Sequence, residues 1–198
     1  MFIAVPLSDE ARGRVADLVA SLPATDDRPV RWVRFDGLHL TVRFLGITPV
    51  ERLGVVGAAV AAVAAAQPPF GVSIQGAGAF PNVRRPRALW LGVEDGATEL
   101  AALSRATNAE LAAAGWPPDD RPFRAHLTLA RSDGVRAGPA TAAALIAASA
   151  AFRVSFTADR LVLFESRTGG GPARYEALEE HPLAATAARA TGGQEPPP

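Results

Sequence analysis

The sequence predicts a mixed fold of α-helices and β-strands, built as two similar lobes that face each other across one cleft. Two observations predict it. The tetrapeptide at residues 39–42, His-Leu-Thr-Val, is matched by His-Leu-Thr-Leu at residues 126–129, 87 positions later. The predicted order of elements around the first tetrapeptide, a helix, a His-bearing strand, a helix and further strands, is repeated around the second. Two lobes related in this way would place the two His strands on opposite walls of the cleft.

The repeated tetrapeptide is too improbable to be accidental. Thr makes up about 6% of the chain, so the chance that two of the three His residues are followed two positions later by Thr is about 1%. Requiring apolar residues at the two remaining positions lowers this chance to roughly 0.05%. The repeat therefore indicates a shared role.

The geometry of each tetrapeptide follows from the two-residue period of a β-strand. His39 and Thr41 point to one face, and Leu40 and Val42 point to the other. The second tetrapeptide alternates in the same way. A strand that merely covers a core would show this alternation, but it would not require His and Thr at the same two polar positions.

The first half of the chain contains the signals of two helices. Ser8 is a predicted N-cap with acidic residues in the turn that follows, and Thr48 with Glu51 forms a capping-box pattern. The elements predicted here are a strand at 2–7, a helix at 9–21, an extended segment at 31–34, the first His strand at 38–45 and a helix from 48 to 67.

The second half repeats this alternation and adds strands at its end. A Gly-rich stretch at 76–81 permits a bulge or a close approach of the backbone. The elements predicted here are strands at 70–74 and 88–93, a helix from 98 to 115, the second His strand at 123–131, a helix from 138 to about 150, and strands at 152–156, 161–163 and 174–178. We expect residues 1–183 to form a single bilobal domain and the low-complexity tail at 184–198 to be disordered.

Composition excludes several chemistries. The chain has no Cys, which excludes disulfides, thiolate zinc sites and cysteine nucleophiles. All 20 of its basic residues are Arg, and the absence of Lys excludes lysine-adenylate ligase chemistry, a P-loop and Schiff bases. The formal net charge is zero, which argues against coating long nucleic acid and favours a short piece or an end. With no signal-like leader and no membrane-length apolar run, we expect a cytoplasmic protein without membrane contact.

Two imidazoles on facing walls are suited to in-line displacement at phosphorus. One accepts a proton from the attacking oxygen and the other protonates the leaving oxygen, and the ordinary imidazole pKa of about 6.5 suits both tasks. The Thr hydroxyls would donate hydrogen bonds to the non-bridging oxygens. We expect no metal, because two His residues without carboxylate or Cys partners fall short of the usual ligand number.

The residues that carry these features resemble the two-histidine phosphoesterase superfamily. Within it, the chain is most similar to the bacterial and archaeal RNA 2',3'-cyclic phosphodiesterases, also called 2'-5' RNA ligases. The similar segments are Phe-Ile-Ala-Val-Pro-Leu at 2–7, Leu-His-Leu-Thr-Val-Arg-Phe-Leu-Gly at 38–46, Leu-Trp-Leu-Gly-Val at 89–93 and His-Leu-Thr-Leu-Ala-Arg at 126–131. The resemblance covers residues 2–183.

This resemblance implies an α+β, bilobal fold, with two pseudo-twofold-related lobes of antiparallel sheet plus helices around a central cleft. It implies hydrolysis of an RNA terminal 2',3'-cyclic phosphate to a 2'-phosphate, without metal or other cofactor. By the same resemblance His39 is the proton donor to the O3' leaving group, and His126 is the proton acceptor that activates water. Thr41 and Thr128 would hold the phosphate, and Arg131 would contact it.

Strand parity disagrees with the resemblance about the arginine. It places Arg131 on the face opposite His126, unless the strand ends or bulges after Leu129. Arg43 shares the parity of His39. The resemblance therefore selects Arg131, parity alone selects Arg43, and both remain candidates.

Several questions stay open at this level. The expected partners are RNA 3' ends or small cyclic-phosphate nucleotides, and the chain is expected to be a monomer. The alternatives are an enzyme for small cyclic nucleotides or 2'-5' linkages, including the reverse joining reaction, and a non-catalytic module that binds RNA ends. His181 is predicted to be a surface residue, and the Arg-rich loop at 82–87 is either solvated or a phosphate contact. The aromatic residues considered as platforms for a terminal base are Trp32, Phe44, Phe80 and Trp90, and the sequence does not choose among them.

Overall fold

Two antiparallel sheets and four helices account for most of the described chain. The structure is a computed structural model, and it describes residues 1–25, 30–119, 121–132, 138–169 and 171–184. The strands are β1 (Phe2–Pro6), β2 (Arg31–Trp32), β3 (His39–Phe44), β4 (Phe70–Phe80), β5 (Ala88–Val93), β6 (His126–Arg131), β7 (Arg153–Ala158), β8 (Arg160–Gly169) and β9 (Gly171–Pro182). The helices are α1 (Asp9–Ala20), α2 (Leu53–Ala65), α3 (Ala97–Ala113) and α4 (Pro139–Ala148). From residue 185 on, the tail predicted to be disordered lies outside the described residues.

Each sheet contains one His strand. The first sheet has the order β3-β1-β8-β9 and the second β2-β6-β5-β4-β7, with antiparallel pairing between the neighbouring strands. β3 lies beside the apolar strand β1, as β6 lies beside the apolar strand β5. Buried apolar side chains from both sheets and from the helices form one continuous cluster. This arrangement confirms the predicted α+β class and its repeated halves.

Both His strands contain a β-bulge at the same position. In β3, Thr41 and Arg43 pair with consecutive residues of β1, so Val42 is an extra residue without its own partner. In β6, the residues on either side of Leu129 likewise pair with consecutive residues of β5. A bulge shifts the alternation of side chains by one residue, so strand parity cannot be extended past it.

Helices α1 and α3 begin and end within two residues of the predicted positions. The Ser8 side chain accepts a hydrogen bond from the Ala11 backbone N–H at 3.2 Å and caps α1. Gly96 precedes α3 with a φ of +81°, and Gly115 follows it with a φ of +79°. These positive φ values favour glycine over residues that carry a Cβ atom.

Helix α2 begins later than predicted. The capping-box interpretation of Thr48 and Glu51 is wrong, because a short 3₁₀ turn (Val50–Arg52) comes first and α2 starts at Leu53 without a side-chain cap. Pro49 adopts an extended conformation with ψ of 144°, which prevents a helix from starting there.

The strands predicted at 70–74, 161–163 and 174–178 are longer than expected. β4 continues through the Gly-rich stretch to Phe80, with its register shifted between Ile74 and Ala77, so the predicted bulge is present. A Cβ atom at Gly78 would lie 2.4 Å from the Trp90 ring, which shows the close approach that the glycine allows. β8 and β9 form a long hairpin that supplies part of the site described below.

No helix among the described residues is both long enough and apolar enough to cross a membrane.

Candidate active site

His39 is held by the backbone just ahead of its own strand. Its Nδ1 lies 2.7 Å from the carbonyl oxygen of Gly37. Because a carbonyl only accepts, Nδ1 carries the proton and donates it, and Nε2 is left as the acceptor in the neutral ring. The Gly37 carbonyl, two positions before His39, therefore fixes the tautomer.

His126 is held in the same way in the other sheet. Its Nδ1 donates to the carbonyl oxygen of Arg124 at 2.7 Å, which is again the residue two positions earlier. The neutral ring thus also presents Nε2 as its free nitrogen. The two halves of the chain repeat this anchor as well as the tetrapeptide.

The imidazole of His39 packs among aromatic rings of the first sheet. It stacks on Phe2 with a centroid distance of 4.5 Å and meets the Tyr175 ring edge-on at 4.9 Å, with Phe164 at 5.8 Å. Phe2 comes from β1, and the other two come from the β8–β9 hairpin. The ring is therefore oriented by packing as well as by its hydrogen bond.

The imidazole of His126 has a more polar surrounding. Phe80 meets it edge-on at 5.0 Å, and Trp90 lies at 6.4 Å. The guanidinium of Arg124 lies over Trp90, 4.6 Å from the ring. Equivalent anchors thus hold the two histidines in unlike environments.

The bulge in β6 resolves the position of Arg131. Leu129 is the extra residue of the bulge, so the parity argument against Arg131 fails. The Arg131 side chain lines the same cleft as His126 and Thr128. Its positive charge lowers the pKa of both histidines. The arginine that the resemblance selected therefore lines the same cleft as the two imidazoles.

Arg43 has a different environment. The bulge at Val42 places it among buried residues, where it is 5% exposed. Its guanidinium donates to the carbonyl of Pro117 and forms an ion pair with Asp119 at 3.1 Å, although it also borders the cleft. The parity argument that favoured Arg43 does not survive the bulge.

Burial makes His39 a weak base in the free cleft. Burial is the main reason that the pKa of His39 falls from 6.5 to about 4. The Gly37 carbonyl opposes the shift, and the positive charges of Arg131 and His126 add to it. The ring is therefore neutral near pH 7 in the absence of a bound anion.

Burial also lowers the pKa of His126. The Arg124 carbonyl opposes the effect, while the charges of Arg124 and Arg131 reinforce it. A neutral imidazole with a free Nε2 is the form that accepts a proton.

The cleft brings together the residues that the sequence selected. His39, Thr41, His126, Thr128 and Arg131 line one space of about 2110 Å³. The third histidine, His181, does not line it; this side chain is 20% exposed and lies 3.2 Å from the Glu179 carboxylate. Among the described residues, no group of three or more His, Asp or Glu is placed to hold a metal ion.

The cleft is strongly basic in a chain of zero net charge. Six arginines besides Arg43 and Arg131 line it, and they are Arg31, Arg85, Arg87, Arg105, Arg121 and Arg124. Asp119 is the only acidic side chain in the part of the lining that the structure describes. Of these six, only Arg121 is paired with a carboxylate within the described ranges. An anionic ligand would therefore meet uncompensated positive charge.

Comparison with known proteins identifies the family. A family model described as the 2'-5' RNA ligase superfamily matches residues 7–170. The chain belongs to the 2'-5' RNA ligase superfamily. The family predicted from the two His-x-Thr strands is thus confirmed.

Two proteins with similar sequences are each named RNA 2',3'-cyclic phosphodiesterase. The protein from Geobacillus stearothermophilus is 35% identical over 185 residues, which are 92% of this chain and 56% of that protein. The chain therefore spans just over half the length of that relative. The Escherichia coli K12 protein is 28% identical over 186 residues, covering 92% of this chain and 96% of the relative.

Solved structures of the superfamily share the fold. E. coli LigT complexed with 3'-AMP has a TM-score of 0.72 at 27% identity, covering 92% of this chain and 96% of LigT. A protein from Thermus thermophilus has the same TM-score and identity, covering 93% of this chain and 98% of its own.

The sequence did not reveal the surroundings of the two histidines. Phe164 and Tyr175 reach His39 from a hairpin more than a hundred residues away, and no pattern near His39 announces them. The carbonyl anchors at Gly37 and Arg124 are backbone groups that any residue supplies. A signal was available for the basic cleft, since Arg85 and Arg87 belong to the Arg-rich loop noted in the sequence.

Proposed function

We propose that this protein hydrolyses the 2',3'-cyclic phosphate at the end of RNA to a 2'-phosphate, without a metal ion. The observation that carries the proposal is the pair of imidazoles in one cleft, each anchored through Nδ1 to the carbonyl two residues earlier and each leaving Nε2 for proton transfer. The names of the relatives support the same reaction.

The proposed reaction is an in-line displacement at phosphorus. Nε2 of His126 takes a proton from water while the water oxygen bonds to phosphorus. The bond from phosphorus to O3' breaks, and Nε2 of protonated His39 gives its proton to O3'. The product carries a 2'-phosphate and a free 3'-hydroxyl, and the two histidines return to their starting states by proton exchange with solvent.

Thr41, Thr128 and Arg131 would stabilise the phosphate during this step. Their donors share the cleft with the two imidazoles. Negative charge on the non-bridging oxygens grows in the transition state, so donors already in place stabilise it more than the ground state.

The substrate itself would protonate the acid. In the free cleft burial holds the pKa of His39 near 4, so the ring is mostly neutral. A bound phosphodiester is an anion, and a nearby negative charge favours imidazolium and raises the pKa. His39 thus becomes protonated, and able to act as the acid, when the substrate is bound. In the free site, the positive charge of Arg131 helps to keep His39 neutral.

The arginines that line the cleft favour the end of a polyanion over a small cyclic nucleotide. Six of the eight form no ion pair within the described chain, which is more positive charge than one phosphate needs. This charge supports RNA 3' ends as the substrate class.

An end-group assay in the presence of a chelator tests the proposal. An oligonucleotide bearing a 2',3'-cyclic phosphate should be converted to the 2'-phosphate, and both His39→Ala and His126→Ala should lower kcat by at least about 100-fold. His181→Ala is the matched control, because this third histidine lies outside the cleft, and it should retain wild-type kcat.

The same assay separates the alternatives. An unchanged cyclic end with tight binding of the product would instead indicate a non-catalytic RNA-end-binding module. Faster turnover of mononucleotide cyclic phosphates or 2'-5' dinucleotides than of the oligonucleotide would point to small substrates. Turnover that depends on added metal would contradict the mechanism.

A further inference from the structure

Tyr175 packs at a right angle against two stacked rings of the first sheet. The Phe2 and His39 rings are stacked with an angle of 25° between their planes. The Tyr175 ring meets His39 at 4.9 Å and 88°, and it meets Phe2 at 5.1 Å and 85°. Edge-to-face contacts of this kind stabilise aromatic pairs beyond the area that they bury. One side chain of β9, which also lines the cleft, therefore restricts the rotation of the imidazole.

Gly37 is the point where the same ring meets the backbone. A Cβ atom at Gly37 would lie 2.9 Å from Cδ2 of Tyr175, with two more ring carbons at 3.7 and 3.8 Å. Non-bonded carbon atoms pack best at about 3.5–4.0 Å, so any larger residue would have to displace the ring. Gly37 does not have a positive φ, so the need for glycine comes from this contact and not from the backbone conformation.

The residue that Tyr175 touches is the anchor of His39. The Gly37 carbonyl oxygen accepts the proton of His39 Nδ1 at 2.7 Å. This carbonyl belongs to a single 3₁₀ turn (Phe35–Gly37), in which the Gly37 N–H donates to the carbonyl of Arg34 at 3.2 Å. That distance is at the long end of the usual range, and a 3₁₀ turn has poorer hydrogen-bond geometry than an α-helix. The Tyr175 ring therefore supports a carbonyl that its own turn holds weakly.

The second half has the same anchor but a different contact to it. The Arg124 carbonyl holds His126, and the ring that meets His126 edge-on is Phe80, at 5.0 Å and 88°. Here the guanidinium of Arg124 lies 5.5 Å from the Phe80 ring, so the ring meets the anchor residue through its side chain. In the first half the ring lies against the main chain instead, because glycine leaves that space open.

We propose that Tyr175 is a positioning residue for His39, and that its ring holds the Gly37 carbonyl in line with Nδ1 so that Nε2 faces the leaving oxygen. The inference rests on the proposed function and deepens it, since Nε2 of His39 is the atom that gives its proton to O3' in that reaction. Tyr175 acts through the anchor of His39 and needs no contact with the substrate.

Loss of the ring would release the imidazole from this geometry. Without its anchor, a neutral imidazole can rotate and can carry its proton on either nitrogen. The charges that act on His39 come from Arg131 and His126, so Tyr175 contributes packing and not charge. The proposed role therefore belongs to the aromatic ring and not to the phenol hydroxyl.

Steady-state kinetics on an oligonucleotide with a 2',3'-cyclic phosphate tests the role of the ring. Tyr175→Ala should lower kcat by about 10- to 100-fold with KM changed little, because a misplaced proton donor costs about that much in rate. Tyr175→Phe keeps the ring and should recover most of the wild-type kcat. A kcat of Tyr175→Phe as low as that of Tyr175→Ala would assign the role to the hydroxyl and overturn the proposal.

A double-mutant cycle tests whether Tyr175 acts through Gly37. Gly37→Ala alone should lower kcat by a factor similar to that of Tyr175→Ala, since the added Cβ atom displaces the ring. In the Tyr175→Ala background the Cβ atom has space, so Gly37→Ala should lower kcat further by less than about twofold. Losses that multiply would show that the two residues act independently and would contradict the proposal.

Leu178→Ala is the matched control for the hairpin. Leu178 lies on the same strand as Tyr175, is 37% exposed and does not line the cleft. This variant should leave kcat and KM at their wild-type values. A loss of kcat as large as that of Tyr175→Ala would instead indicate a general disturbance of the hairpin and count against a specific role of the ring.

Nitrogen NMR of the substrate-free protein gives a second measurement that needs no turnover, and His39→Ala assigns the His39 signals. Near neutral pH, wild type and Tyr175→Phe should show His39 with its proton on Nδ1. Tyr175→Ala should show both tautomers, and the pKa of His39 should rise from about 4, since the imidazole gains contact with water.

The spectrum of His39 decides the proposal even if the reaction is different. An unchanged tautomer and an unchanged titration of His39 in Tyr175→Ala would overturn the positioning role. Failure of wild-type protein to open the cyclic phosphate would count against the proposed reaction alone, because the NMR comparison still tests how Tyr175 and Gly37 hold the imidazole.

Discussion

At the scale of single residues, the two histidines combine one anchor with two environments. Each Nδ1 donates to the carbonyl two residues earlier, at the same distance of 2.7 Å. Burial makes the charged form costly for both rings, and the charge of Arg131 adds to it in both; the charge of His126 adds to it for His39, and that of Arg124 for His126. The individual proton-transfer roles stay predictions from the resemblance to the family.

The buried imidazole of His39 should make stability depend on pH. Its folded-state pKa of about 4 lies below the ordinary 6.5, so the unfolded chain binds the proton more readily between these values. This contribution is present in full above pH 6.5 and is lost as the pH falls towards 4. We expect the free energy of unfolding of wild type to fall, relative to that of His39→Gln, by about 3 kcal/mol between about pH 7.5 and pH 4.

Urea unfolding at a series of pH values measures this difference. Carboxylates elsewhere titrate in both proteins, so their contribution cancels in the comparison. Parallel stability curves for the two proteins would show that the surroundings of His39 do not disfavour its charged form.

At the scale of elements, the two bulges decide which arginine serves the site. Each adds one residue after the Thr, so that Arg131 is exposed in the cleft while Arg43, which also borders the cleft, is only 5% exposed. In regular strands, Arg43 would share the face of His39 and Arg131 would point away from the face of His126.

Methionine substitutions should separate the two arginines. Arg131→Met removes a hydrogen-bond donor to the substrate phosphate. Because Arg131 lies at the exposed end of a strand, kcat/KM should fall about 100-fold while the melting temperature stays unchanged. Arg43→Met leaves Asp119 without its buried partner, so we expect a loss of about 2–3 kcal/mol in stability. Assays of the folded protein should show that its kcat is largely retained.

Kinetics and thermal unfolding of both variants check this assignment. A larger loss of kcat in Arg43→Met than in Arg131→Met would restore the parity argument and contradict the placement by the bulges.

At the scale of the whole molecule, charge is distributed unevenly. The chain has a formal net charge of zero, yet eight arginines and one described acidic residue line the cleft. The field of the cleft therefore attracts anions even though the whole protein is not basic.

Salt should weaken action on RNA more than action on a mononucleotide. If the cleft neutralises roughly three backbone phosphates, log kcat/KM for an oligonucleotide should fall with log salt concentration with a slope of magnitude about 2. Nucleoside 2',3'-cyclic phosphates should give a slope below about 1. Kinetics between about 50 and 300 mM salt measures both slopes.

An arginine inside the cleft and one outside it provide the comparison. Arg87→Ala should reduce the slope for the oligonucleotide, and Arg153→Ala, on an exposed side chain that does not line the cleft, should leave it unchanged. Equal slopes for oligonucleotide and mononucleotide would mean that the additional arginines bind no RNA backbone.

Much of the fold follows from local signals in the sequence. The Ser8 cap, the end of α3 before Gly115 and the alternation within the two His-x-Thr tetrapeptides act over a few residues, and the structure confirms each. The predicted start of α2 was wrong, because Pro49 is extended and the capping pattern at Thr48 does not begin a helix.

The sequence by itself determined the family, the two His-x-Thr strands and their repeated setting, because these depend on residue identity and short-range spacing. The tertiary structure alone decided that Arg131 faces the cleft, that the β8–β9 hairpin encloses His39 and that Phe44 is left exposed. The physical reason is strand register: a bulge or a cross-strand ring contact depends on which distant residues pair, and the spacing within one strand does not contain that information.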